Sequence, residues 1–130
     1  MAEIPATIIG GKPGGNPPRG TIVVEWFPLV SGDTGAYVEL PNYPDKSVMV
    51  SGTFGDGTLT LQGTNEKVAG APANPQTLND AQGTTLTWTA QRLEQVLENP
   101  RYIRPSMSGT TGDAIKVTMI CTRTKVPQQG

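Results

Sequence analysis

Apolar residues in this chain alternate singly with polar ones, over runs of five to ten residues that glycine or proline then interrupts. Ile22, Val24 and Trp26 alternate in "TIVVEWF". Val48 and Val50 do so in "SVMV", Leu59 and Leu61 in "TLTLQ", and Leu86 and Trp88 in "TLTW". Ile115, Val117, Met119 and Cys121 do so in "AIKVTMIC". Period-two alternation puts one face of each strand on a core and the other toward solvent. About seven such strands, separated by turns such as "SGDTG", "GDG" and "GTTGD", predict an all-β fold, an antiparallel β-sandwich of jelly-roll or Greek-key type.

Composition agrees. Only 35% of the 130 residues are hydrophobic and 16% charged, while Gly (16) and Pro (12) are abundant, a profile of short strands and many turns. One core is expected for this length. We divide the chain into an extended N-terminal arm (residues 1–19), a sandwich (20–124) and a C-terminal tail (125–130). The arm carries four prolines and four glycines, which oppose a regular helix. Its Ile4, Ile8 and Ile9 need a cover, either a neighbouring molecule or the chain's own sheet edge.

Within the sandwich, residues 46–54 and 58–64 flank Asp56-Gly57 and read as the clearest hairpin. Residues 90–100, "AQRLEQVLENP", carry helix formers with Leu93, Val96 and Leu97 at helical spacing, so one short helix is expected there, ended by Pro100. The connection 65–83 has little periodicity and is long enough to be functional or disordered. The dipeptide Ser-Gly recurs at Ser31-Gly32, Ser51-Gly52 and Ser108-Gly109, at irregular spacing that indicates turn chemistry rather than a repeat.

Charge and motifs exclude several functions. Ten basic and eleven acidic residues leave a net charge of −1, without a basic block for nucleic acid. No apolar run reaches the ~18 residues of a membrane helix and no signal-peptide pattern opens the chain, so folding in a cytoplasm is expected. Histidine is absent, which removes the commonest general base and metal ligand. The lone Cys121 reads as a small buried hydrophobe. Asp56, Glu66, Asp80 and Asp113 read as turn residues, with a carboxylate-only hydrolase the enzymatic alternative. We therefore expect no enzyme, no cofactor and no metal.

The remaining polar and aromatic signals point to contact surfaces. Trp26 and Trp88 fall on predicted core faces, leaving Tyr37, Tyr43 and Tyr102 as outward aromatics, with Tyr43 between prolines the best surface candidate. Arg101 and Arg104 flank Tyr102 in "RYIRP". Arg and Tyr are over-represented among interface anchors, although both arginines also read as solvated strand ends.

The stretches "VSGTFGDGTLTLQGTNE", "TLTWTA" and "PRYIRPSMSGTTGDAIKVTMI" together resemble small structural proteins of tailed bacteriophages, in particular the capsid decoration or cement proteins of short-tailed phages. The resemblance covers about half of the chain, and its motifs are structural. It departs after Asn65, where "EKVAGAPANPQ" replaces a short turn. It implies a virion protein assembled in the host cytoplasm, bound to the capsid surface across junctions of the major capsid protein, and associating with itself as a dimer or trimer. On that reading Ile4, Ile8, Ile9, Tyr43, Arg101, Tyr102 and Arg104 are the expected partner-binding residues. The alternative is a carbohydrate- or receptor-binding module of a phage tail or fibre.

Overall fold

The computed structural model describes residues 3–10, 20–109 and 113–123. Its strands are β1 (Glu3–Ile4), β2 (Ala6–Ile9), β3 (Thr21–Leu29), β4 (Thr34–Gly35), β5 (Val38–Glu39), β6 (Asp45–Thr53), β7 (Thr58–Thr64), β8 (Glu66–Val68), β9 (Ala71–Ala73), β10 (Gln76–Thr77), β11 (Thr87–Trp88), β12 (Arg92–Val96), β13 (Tyr102–Ser108) and β14 (Asp113–Thr122). One five-stranded sheet runs β12-β6-β14-β3-β2. A seven-stranded sheet runs β1-β4-β13-β7-β10, with β11 also on β7 and β5 also on β13. The hairpin β8-β9 stands apart from both.

The sheets face each other across the alternating residues. Val24, Trp26, Val48, Val50, Val117, Met119 and Cys121 from the five-stranded sheet are fully buried, as are Leu59 and Leu61 opposite them. Trp88 and Leu86 complete this core. A fully buried aliphatic or aromatic side chain stabilises the fold by roughly 1.5–3 kcal/mol, so the alternation itself specifies the buried face of each strand. The indole of Trp26 also donates through Nε1 to the carbonyl oxygen of Ala36 at 2.9 Å, tying the layers together.

From β3 onward the chain crosses repeatedly between layers: β6, β12 and β14 belong to one sheet, and β7 and β13, which follow β6 and β12, to the other. This is the all-β jelly-roll sandwich expected, but it corrects the expected hairpin. β6 and β7 do not pair with each other; the turn after β6, closed by Gly57 N–H donating to Phe54 O, is a corner between sheets. Alternation records which face of a strand is buried and is silent on which sheet the strand joins. Gly32, Gly52 and Gly109, the glycines of the three Ser-Gly pairs, all have positive φ. Gly32 and Gly109 lie outside strands as turn chemistry expects, whereas Gly52 lies within β6, opposite the register irregularity of β14. At Gly109 a Cβ would lie 2.7 Å from Gly57 Cα, so two corners press against each other there.

The expected helix over residues 90–100 is a strand. β12 pairs antiparallel with β6 along the sheet edge, Leu93 opposite Met49 and Val96 opposite Lys46. Leu93 and Leu97 are exposed, and only Val96 of the three apolar residues is buried. Main-chain pairing with β6 outweighs the small helix propensities of this segment.

Residues 3–9 of the arm lie on the chain's own sheets. β1 pairs parallel with β4, and β2 pairs antiparallel with β3. Ile4 packs against the core, while Ile8 and Ile9 remain half exposed. Residues 1–2, 11–19, 110–112 and 124–130 lie outside the described residues.

Candidate functional site

The outward residues of β13 are Tyr102, Arg104, Ser106 and Ser108, because Ile103 and Met107 point into the core. Register places Tyr102 opposite Glu39 of β5 and Thr64 of β7, and Arg104 opposite Gln62. Three strands thus build one patch. The Arg101 guanidinium lies 5.0 Å from the Tyr102 ring centroid, and that of Arg104 lies 4.7 Å from the Tyr37 ring. The two rings meet edge to face at 6.2 Å. Lys67, from the β8-β9 hairpin, adds a third cation 5.9 Å from Tyr102.

Polar contacts fix the arginines. Arg101 Nε donates to Glu39 Oε2 at 2.5 Å and Arg104 Nε to Gln62 Oε1 at 3.0 Å. The Arg101 backbone N–H donates to Asn65 Oδ1 at 2.7 Å. The hydrogen bond from Arg101 holds the Glu39 carboxyl below its ordinary range, and Glu39 in turn raises the Arg101 pKa. Both side chains are about half exposed, at 46%, so solvent screens the pair and it adds little to stability. Its chemical consequence is orientation. Guanidinium planes held over aromatic rings are pre-organised for carboxylate or carbonyl oxygens of a partner.

The structure brings Arg101, Tyr102 and Arg104 together with Tyr37, Glu39 and Lys67. It does not bring Ile4, Ile8, Ile9 or Tyr43 into that patch: the isoleucines lie on β1 and β2, and Tyr43 packs against the core. Tyr43 is therefore half buried packing and not a surface platform. Tyr102, expected outward, does face out of the sheet but is only 6% exposed beneath its neighbours. Glu39 and Lys67 escaped the sequence reading because they reach the patch from β5 and β8, far from "RYIRP" in the chain. Their signal was only the outward phase of Glu39 beside Val38.

Next to the patch lies an open cleft of about 440 Å³, bordered by residues 63–66 and 98–100 and by Asn74, Gln76 and Leu78. The "QGTNE" segment forms one wall, and its polar groups are engaged in building the loops. Thr64 Oγ1 donates to Ala73 O at 2.6 Å, Asn74 Nδ2 donates to Glu66 Oε1, and Glu98 accepts from both the backbone N–H and Nδ2 of Asn79. Among the described residues no aromatic ring lines the cleft.

Of the candidate carboxylates, Asp56 lies in a turn and Asp80 directly before one, whereas Glu66 opens β8 and Asp113 opens β14. Asp80 Oδ1 accepts from the N–H groups of Gln82 and Thr84, and the Thr84 bond chiefly lowers its pKa. Among the described residues no group of three or more His, Cys, Asp or Glu side chains is gathered for a metal ion. No helix there is long and apolar enough to cross a membrane.

No protein-family profile and no curated protein matches this sequence. Solved structures do match the fold. The chain superposes on the SPBc2 prophage-derived protein YomS with a TM-score of 0.58 at 8% identity, covering 78% of this chain and 95% of that one. A cupin 2 domain-containing protein from Halorhodospira halophila gives a TM-score of 0.47 at 11% identity over 96% of this chain and 68% of its own. The cupin domain of Schizosaccharomyces pombe Cnp3 gives 0.43 at 10% identity, over 91% and 61% respectively. What the chain shares with the prophage-derived protein is an all-β sandwich fold.

Proposed function

We propose that this chain is a non-enzymatic structural protein of a phage particle, bound to the outer surface of the capsid and cementing junctions between major capsid protein subunits. The observation that carries this reading is the cation-π patch of Arg101, Tyr102, Arg104 and Tyr37 on the outer face of a rigid sheet. Arg and Tyr held in fixed geometry are the side chains that anchor protein interfaces. The phage setting is supported by the sequence resemblance and by a fold shared with a prophage-derived protein.

A rigid sandwich spanning two shell subunits adds contact area without altering the shell itself. Each site needs only modest affinity, because many copies act together on one particle. The direct test is co-sedimentation of the purified protein with capsids that lack it, alongside thermal release of packaged DNA. Saturable binding at a fixed number of copies, with release delayed, is the expected result. Shells that sediment without it would contradict the proposal.

The cleft favours a second reading, a carbohydrate- or receptor-binding module of a tail or fibre. Its polar rim suits a sugar, but it lacks the aromatic platform on which sugars stack. Glycan binding that is lost on substituting Asn65 or Asn74 would move this reading ahead.

A further inference from the structure

The outer face of the five-stranded sheet is unlike that of its partner sheet. Directly opposed residues share a face, so the registers define its rows. One row reads Leu93, Met49, Thr118, Glu25, Thr7 and the next Gln95, Ser47, Ile120, Val23, Ile9. Of the nine large hydrophobic side chains exposed among the described residues, five lie on this one face: Ile9, Phe27, Met49, Leu93 and Ile120. By contrast the outward residues of β7 and β13 are Thr58, Thr60, Gln62, Thr64, Arg104, Ser106 and Ser108, with Tyr102 covered. An apolar sheet face of this size on a protein otherwise this polar marks a contact surface.

We infer that this face is where two copies of the chain pair, sheet against sheet. Strands about 4.8 Å apart and rows about 7 Å apart give a five-stranded, four-row face of roughly 500 Å². Two such faces bury about 1,000 Å² in total, the lower bound for a specific interface. Charge also favours a second copy. The face carries two acids, Glu25 and Asp45, and one base, Lys116, which lies 5.2 Å from the Phe27 ring. A two-fold pairing can set Lys116 of each copy toward Glu25 of the other, so the surface is complementary to itself. Aligned packing of two sheets, about 10 Å apart, suits side chains the size of Met49 and Ile120. The inference stands apart from the shell reading, because it concerns the purified protein alone and a different face of the sandwich.

Sedimentation velocity over about 1 to 200 µM tests it, since interfaces near this lower bound associate in the micromolar range. The wild-type protein is expected to pass from monomer to dimer. Leu93→Lys and Ile120→Lys should each weaken dimerisation at least tenfold with thermal unfolding unchanged, and Val68→Lys, on the distant β8-β9 hairpin, should dimerise as wild type. Leu93, 65% exposed, decides the matter if the Ile120 variant fails to fold. A wild-type protein that stays monomeric throughout, or a Leu93→Lys variant that dimerises undiminished, would overturn the inference.

Discussion

Lys46 of β6 sits directly opposite Cys121 of β14, and both side chains are buried between the two sheets. The ammonium donates to Asn99 Oδ1, and Asn99 Nδ2 donates to Pro41 O at 2.9 Å, so one buried cation organises two loops at this end of the sandwich. Burial lowers the Lys46 pKa and pushes the Cys121 thiol up to about 11.

These shifts act on stability with opposite signs. Below the ordinary lysine value, and down to the lowered folded value, the unfolded chain binds the lysine proton more readily, so stability rises with pH through that window. For Cys121 the unfolded thiol ionises first, so stability falls as pH rises from the ordinary thiol value of 9.0 to about 11. Two pKa units correspond to about 2–3 kcal/mol. Urea unfolding across this range should therefore show a steeper alkaline loss in Lys46→Met and a rising curve in Cys121→Ala. Variant profiles parallel to wild type would contradict the buried pair. At neutral pH Lys46→Met should also gain about 1 kcal/mol or more, as is common when a buried charge gives way to an apolar side chain of similar size.

The strand at 92–96 makes a prediction that a helix would not. Val96 is buried while Leu93 and Leu97 are exposed, so Val96→Ala should cost roughly 1–3 kcal/mol. Leu93→Ala and Leu97→Ala should stay within about 0.5 kcal/mol of wild type. Equal losses at all three positions, measured by denaturant unfolding, would restore the helical phase.

Gly109→Ala should destabilise by more than about 1 kcal/mol. Its φ of 109° disfavours any side chain, and the new methyl group would meet the Gly57 backbone. A thermal midpoint equal to wild type would show that the two corners are not pressed together.

Asp80 predicts an acid response. Its carboxyl accepts two backbone N–H bonds and titrates below its ordinary value, 3.8, so its contribution is present above that pH and disappears as pH falls through the lowered one. Asp80→Asn should flatten the loss of stability in acid. An unchanged acid profile would place the stabilising group elsewhere.

Much of the sandwich was legible because alternation is a direct consequence of the pleat. The burial of Lys46 was not read from the sequence, although it stands in phase with Val48 and Val50, because a lysine there is easily taken for the solvated start of a strand. The helix was misread because Leu93, Val96 and Leu97 fit a helical period, whereas the edge of β6 decides their state. Arg101, Tyr102 and Arg104 announced the patch. Tyr37, Glu39 and Lys67 did not, because only the pairing of β5 and β7 with β13 brings their segments alongside.

On the proposed function, the Arg101, Tyr102 and Arg104 face grips a protein partner. Binding of wild type and of the Arg101→Glu/Arg104→Glu double variant to capsids lacking the protein tests it most directly. Wild type should bind saturably, with binding reduced at least tenfold in the double variant while its fold and self-association persist. Equal binding by the two proteins would contradict it.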